Sequence, residues 1–295
     1  MKPIKIQILY LLRFLMRGLP FSLQIYLSRV IPKGFLLIPE NVEFVFNKYL
    51  SDLNVEINTV YPIEREMLSG SYDPDSQSII RRFLHPGDTG IDIGANIGAL
   101  SLAMAKAVSP RGLTYSFEPG KILFRRLLKN IELNPSIQKT IVPVNQGLSD
   151  KEGELYWHES PLRENRGNAC LNTEKESDGI PVPVTTLDKF FADRDTTRVK
   201  FIKIDVEGME REVIGGGIEL LKAVKPLIYY ETYLVVETNR GEPVLRDIET
   251  MLSQLGYLFY KVDCGAQLTQ THYPDLTPNT LAVHRDSPFL PQLHA

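Results

Sequence analysis

Residues 88 to 98 read Asp88-Thr89-Gly90-Ile91-Asp92-Ile93-Gly94-Ala95-Asn96-Ile97-Gly98, a short apolar run that breaks into small residues. The next apolar run, Leu113 to Phe117, ends on Glu118, with helix-like sequence on both sides. Strand, tight turn, helix, second strand and terminal carboxylate follow in that order. Such a chain folds as parallel strands joined by crossover helices. In such sheets ligands gather outside the carboxyl ends of the strands.

The alternation continues downstream. The periodicity predicts strands at 89–93, 113–117, 141–144, 199–204 and 227–232, with helices at about 98–108, 119–133, 207–214 and 244–255. A helix at 76–84 is closed by His85-Pro86-Gly87. Residues 41–60 alternate as a hairpin would, and 61–74 reads as a polar connector. The stretch 145–180 looks irregular, with a short strand near Leu155 to Trp157. Strand candidates at 257–262 and 280–284 are joined by a linker without helical period, so the last strand is expected to be antiparallel. The fold class is α/β: a doubly wound, seven-stranded, mostly parallel sheet with an antiparallel last strand. Two regions are expected, an accessory one at 1–60 and the α/β domain at 61–295.

The turn after the first strand narrows the ligand. Gly94 and Gly98 permit tight turning and close approach of backbone to ligand, and the helix that starts there offers N–H groups. Glu118 suits two adjacent ribose hydroxyls, because a carboxylate accepts from both. A dinucleotide site would want G-x-G-x-x-G, so that a pyrophosphate rests on the helix N-terminus. Here the spacing is G-A-N-I-G, and Asp92 adds a negative charge. A ligand with a ribose, an amine and a sulfonium, S-adenosylmethionine, fits this pattern better.

Composition bounds the rest. The chain has 295 residues, 43% hydrophobic and 23% charged, which is ordinary for a globular protein. A net charge of −3 gives no general pull toward nucleic acid, and no nucleic-acid partner is expected. Two cysteines, Cys170 and Cys264, make no disulfide framework or zinc cluster, so a cytoplasmic location is the default. Before the first acidic residue, Glu40, lie six cations among apolar residues. Arg13 and Arg17 interrupt that segment too early for a spanning helix. It reads as amphipathic helix packed on the domain or, alternatively, as a weak membrane-surface or partner contact through residues 1–38, which would make the protein peripheral.

Several blocks together resemble the FkbM family of S-adenosylmethionine-dependent methyltransferases. They are Gly87 to Gly98, Phe117-Glu118-Pro119, Gly147-Leu148-Ser149-Asp150, Thr185-Thr186-Leu187-Asp188, and Ile202-Lys203-Ile204-Asp205-Val206-Glu207-Gly208-Met209-Glu210. Upstream, Gly70-Ser71-Tyr72-Asp73-Pro74 is similar to the family's Gly-x-Tyr-Glu-Pro, with Asp in place of Glu. The resemblance spans roughly residues 68–285. It implies the seven-stranded methyltransferase fold and an O-methyltransferase acting on a hydroxyl of a sugar, glycan or secondary metabolite. Carried over by position, Asp92, Gly94, Asn96 and Gly98 would line the methionine part of the cofactor. Glu118 would hold the ribose, and Leu148, Ser149 and Asp150 would lie near the adenine. Ala95, Pro119, Tyr72 and Asp205 complete the implied cofactor set.

Methyl transfer from a sulfonium needs an aligned acceptor oxygen and a base for its proton. Asp205 stands at the end of the 199–204 strand, next to the first strand. Phe201, Lys203 and Asp205 share one face of it. Lys203 is therefore a charge partner for Asp205, which favours Asp205 as a positioning group over a strong base. Glu207 follows, and Glu231 ends the next strand. The reaction centre is expected among Asp205, Glu207, Glu231 and Lys203, with the division of labour open. Three carboxylates could also hold a divalent cation, but no metal is expected. The irregular stretch reads as an acceptor lid in which Trp157, His158, Arg163 and Arg166 contact a polyhydroxylated acceptor. The alternative reading is a protein of the same fold that binds S-adenosylmethionine without turnover. A nucleotide-dependent oxidoreductase is opposed by the G-A-N-I-G spacing.

Overall fold

The computed structural model describes residues 42–69, 72–158, 170–172, 179–231, 241–263, 265–272 and 279–293. They fall into two compact units, one up to Pro74 and one from Asp75 on. The division lies fourteen residues beyond the expected boundary at residue 60.

In the first unit β1 (Glu43–Tyr49) and β2 (Leu53–Asn58) form the expected antiparallel hairpin. Phe46, Tyr49, Leu53, Val55 and Ile57 bury its inner face. The connector expected over 61–74 is instead largely helical, as α1 (Pro62–Ser69). Pro62 stands at the first helical position, where its missing N–H costs nothing. Glu64 accepts the Asn58 N–H at 2.6 Å, and Met67 and Leu68 are buried. Two apolar residues in one turn are too few to betray a helix by period.

The second unit begins with α2 (Pro74–Phe83), β3 (Thr89–Ile93), α3 (Ala99–Val108), β4 (Leu113–Phe117), α4 (Lys121–Glu132) and β5 (Ile141–Val144). There follow β6 (Gly147–Leu148), β7 (Gly153–His158), β8 (Cys170–Asn172), β9 (Ile180–Thr185), α5 (Leu187–Phe191) and β10 (Val199–Ile204). The chain continues through α6 (Glu210–Gly215), α7 (Ile218–Val224), β11 (Leu227–Glu231), α8 (Gly241–Gln254), β12 (Tyr257–Asp263), β13 (Gln267–Thr271) and β14 (Asn279–His284).

The main sheet runs β13-β12-β14-β11-β10-β3-β4-β5. β14 is antiparallel to both β11 and β12, as expected of the last strand. The sheet has eight strands rather than seven, because β13 folds back on β12 as a hairpin. The segment read as irregular is also more ordered than expected. Its strands form a second sheet, in the order β6-β9-β7-β8. They run two to six residues each, too short to show a period.

The order of the main sheet reverses at β3, with β4 on one side and β10 on the other. That switch point sets the place of the site. On one face Ile91, Ile93, Ile202, Ile204, Ile228 and Tyr230 enter a continuous core with Leu187, Phe191, Val213, Ile248 and Leu252. The opposite face carries a polar row, because Lys203 is in register with Asp92 on one side and Tyr229 on the other. The Ser76 hydroxyl of α2 donates to the Tyr229 hydroxyl at 2.9 Å in that layer.

β3 and β10 are pressed together at their carboxyl ends. The Asp205 N–H donates to the Ile93 carbonyl at 3.0 Å. A Cβ on Gly94 would lie 1.7 Å from the Asp205 carbonyl oxygen, and Gly94 has φ +80°. Both the positive φ and the approach of a second backbone demand glycine. Gly94→Ala is expected to cost about 3 kcal/mol or more, since a backbone clash cannot be relieved by a rotamer change. Urea unfolding of the variant, followed by circular dichroism, measures it.

Candidate active site

The turn after β3 spends its own N–H groups. Those of Gly94 and Ala95 donate to the Phe117 carbonyl at 3.1 and 2.9 Å. That of Asn96 donates to Glu118 Oε2 at 2.8 Å, that of Ile97 to Asn96 Oδ1 at 2.8 Å, and that of Gly98 to the Ala95 carbonyl at 2.8 Å. Five successive donors are thus occupied within the protein. The turn therefore presents none of these five N–H groups to a ligand. Gly98, at φ +90°, is also a packing glycine: its Cβ would meet Leu127 Cδ1 of α4 at 2.6 Å.

Glu118 is 2% exposed. Its Oε2 accepts from Asn96, and its Oε1 accepts from the Gly120 N–H at 2.8 Å. An ionised carboxylate has about four lone-pair sites, so acceptor capacity remains for two vicinal hydroxyls. Burial pushes Glu118 up to about 7, against the pull of its two backbone donors and of Lys203. Two residues that sequence reasoning passes over hold this corner. Asn145, after β5, donates to the Glu118 and Pro119 carbonyls at 2.8 and 3.1 Å. Asn130 of α4 donates to the Ile97 carbonyl at 2.8 Å. Exposed or mid-helix asparagines carry no sequence signal of such a role.

Asp92 is placed differently from the sequence expectation. It is fully buried, and the Ser101 hydroxyl of α3 donates to its Oδ2 at 2.5 Å. Its Oδ1 faces the Lys203 ammonium at 3.4 Å. The carboxylate is buried and paired with Lys203, which offsets much of its charge.

Lys203 meets Asp205 as well, at 3.1 Å from Oδ2, and donates to the Gly94 carbonyl at 3.2 Å. The Asp205 side chain is 30% exposed, against 7% for Lys203. Glu207 follows with φ +55° and Gly208 with φ +107°, which delays α6 to Glu210 rather than the expected 207. Glu210 fastens this bend: its Oε1 accepts the Val206 and Gly208 N–H groups at 3.3 and 3.2 Å. Burial pushes Glu207 up to about 8, and repulsion from Asp205, Glu231 and Glu210 adds to it while Lys203 opposes it. Burial likewise holds Glu210 at about 7. Asp205, Glu207, Glu210 and Glu231 therefore share one electrostatic environment, with more negative charge than Lys203 balances. A ligand bearing an ammonium and a sulfonium suits it. Among the described residues, no three of His, Cys, Asp and Glu stand close enough to hold a metal ion.

The remaining sequence candidates are spread out. Ala95 and Pro119 are buried beside the turn. Leu148 belongs to the apolar core, and Ser149 is 3% exposed, with its N–H on the Thr185 carbonyl and its own carbonyl against Gly216. Asp150 is exposed. Trp157 is not on a loop but on β7, and it is 8% exposed. A Cβ at Gly120 would lie 2.6 Å from its indole and 2.9 Å from Glu118 Oε1. The ring thus stands on the Glu118 side of Gly120 rather than on an open lid. His158 ends the same strand, half-buried, opposite Cys170. Arg163, Arg166 and residues 1–38 lie outside the described residues, and Tyr72 belongs to the first unit.

Residues 92–259, more than half of the chain, match the methyltransferase FkbM domain family. The chain belongs to that family. Its cofactor is S-adenosylmethionine, and it is a methyltransferase. Hexuronic acid methyltransferase AglP of Haloferax volcanii is 28% identical over 182 residues, covering 60% of this chain and 68% of that protein. The 2-O-methyltransferase NoeI of Sinorhizobium fredii is 25% identical over 207 residues, covering 64% and 82%. A crystal structure of a methyltransferase FkbM from Methylobacillus flagellatus superposes with a TM-score of 0.45 at 14% identity. It covers 90% of this chain, which spans 58% of that one.

Two buried carboxyls, Glu118 and Glu210, and the half-buried Glu207 have raised proton affinity and make the unliganded protein sensitive to pH. Each binds its proton more tightly folded than unfolded, so their contribution is full below the ordinary value of 4.5 and is lost as pH rises through about 7 to 8. Thermal melts between pH 5 and 8 are expected to fall more steeply in the wild type than in Glu118→Gln. Equal slopes would show that Glu118 is not the buried carboxyl described.

Proposed function

We propose that this protein moves a methyl group from S-adenosylmethionine to a hydroxyl of an uncharged sugar, glycan or similarly polyhydroxylated metabolite. The observation that carries the reading is Glu207, held at the carboxyl end of β10 beside Asp205 with its carboxyl pushed up to about 8. A hydroxyl is a poor nucleophile, and a base whose pKa lies near the working pH removes its proton best.

The bound cofactor supplies an activated methyl on a sulfonium. The residues of this chain do the rest. The turn Gly94–Gly98 supports the methionine part, Glu118 accepts the ribose hydroxyls, and Leu148 to Asp150 border the adenine. Glu207 takes the acceptor proton. Asp205, held by Lys203, orients the acceptor, and Glu231 raises the basicity of Glu207 by repulsion.

The relatives' names support a hydroxyl of a sugar-like acceptor: one is a hexuronic acid methyltransferase, and the other is a 2-O-methyltransferase. The carboxylate group around Glu207 disfavours an anionic acceptor and favours a neutral one. The proposed compartment is the cytoplasm. Among the described residues no helix is long and apolar enough to cross a membrane.

Calorimetric titration with S-adenosylmethionine, its demethylated product and NAD tests the cofactor assignment. The first two are expected to bind and the third not. Turnover on a panel of neutral sugars, polyols and hexuronates, read by mass spectrometry, tests the acceptor. Activity should rise with pH through about 8 as Glu207 loses its proton. Glu207→Gln should lower turnover by about a hundredfold, within the range general bases contribute, and leave cofactor affinity within twofold. Tight cofactor binding with no methylated product from any acceptor would support the alternative, a cofactor-binding protein without turnover.

A further inference from the structure

Lys203 is a buried lysine with more partners than its own neutralisation requires. A buried ammonium needs a counter-charge, and Asp92, wholly buried at 3.4 Å, is one. Yet Lys203 Nζ also lies 3.2 Å from the Gly94 carbonyl and 3.1 Å from Asp205 Oδ2. The Gly94 carbonyl opens the turn that carries the cofactor. Asp205 is the carboxylate of this set that reaches the cleft. An ammonium has three rotatable donors, so one side chain can serve all three oxygens. A planar guanidinium would aim its donors along a fixed fork.

We propose that Lys203 is a positioning residue: its ammonium joins the cofactor turn and Asp205 into one unit, and so holds the cofactor site ready for methyl transfer. This rests on the methyltransferase reading above. Two further relations support it. The charge of Lys203 reaches Glu118 on the cofactor side, where Asp92 opposes it and the Asn96 and Gly120 N–H groups assist it. It also reaches Glu207 on the acceptor side, where Asp205, Glu231 and Glu210 oppose it. One cation therefore serves both halves of the site.

Lys203→Met alone would strand the Asp92 charge in the core. The informative variant is Asp92→Asn with Lys203→Met, compared with Asp92→Asn alone, each in the full chain and checked for folding by circular dichroism. The probe is S-adenosylmethionine, titrated calorimetrically from pH 6 to 9. Asp92→Asn should keep affinity within about threefold and move the pH midpoint of binding down, because a charge repelling Glu118 is gone. The double variant should bind at least tenfold more weakly than that control, with its midpoint higher by a unit or more. The control already lacks Asp92, so a lysine that only neutralised that carboxylate would leave cofactor affinity the same in the two variants. A folded double variant with the control's affinity and midpoint would overturn the proposal. If the double variant does not fold, Lys203→Arg decides: a tenfold loss of affinity supports the proposal, and wild-type affinity overturns it. Failure of the wild type itself to bind the cofactor would sink the methyltransferase reading instead.

Discussion

The contact on which the site depends is the buried bridge between Asp92 on β3 and Lys203 on β10. It lies where the strand order reverses, so it joins the two strands whose ends form the cleft. Removing Lys203 alone would leave the Asp92 charge in the core, at a cost of about 3–5 kcal/mol, whereas Lys203 without Asp92 keeps Asp205 as its counter-charge. Around it the geometry is closely determined. Gly94 must be glycine because the Asp205 backbone touches it, and the Asp205 N–H closes on Ile93. The same lysine then extends to Asp205 itself. Core packing and the chemistry of the cleft are thus not separable here.

The turn after β3 is held together by its own donors. A phosphate-binding turn leaves backbone N–H groups pointing outward. This one directs five of them inward, one of them onto Glu118. Glu118 in turn is held from behind by two backbone donors, and its chain by Asn145. A carboxylate so fixed can receive a diol without moving. The excess of carboxylates on the other side, around Glu207, suits a cationic donor and makes one carboxyl basic enough to take a proton.

Much of this was legible in the sequence. The period-two apolar runs located β3, β4, β10 and β11 within a residue or so, and the glycines located the turn between β3 and α3. The linker without helical period pointed to the antiparallel last strand, and the alternation along β10 with the residues that follow it pointed to Lys203, Asp205 and Glu207 as one cluster. What escaped was contact between distant positions. The burial of Asp92 depends on Lys203 and Ser101, which no local pattern links to it. Trp157 reads as an acceptor contact at the end of a short strand, and the pairing of β7 with β9 sets its ring beside Gly120 instead. The strands of the second sheet and α1 are too short for their periods to show, so 145–180 and 61–74 read as loops. Asn130 and Asn145 act through single hydrogen bonds to backbone, which residue type alone does not announce.

Proton release on cofactor binding tests the central claim most directly. If Glu118 is a buried carboxyl near 7 that accepts the ribose hydroxyls, those hydroxyls and the cationic cofactor favour its ionised form. Titrating S-adenosylmethionine at pH 7 in buffers of different ionisation enthalpy should then show roughly half a proton released per cofactor bound, because a group near its pKa is about half protonated. The release should fall in Glu118→Gln, to what Glu207 and Glu210 contribute. Binding with no net proton release in the wild type, or a release unchanged in Glu118→Gln, would contradict the account.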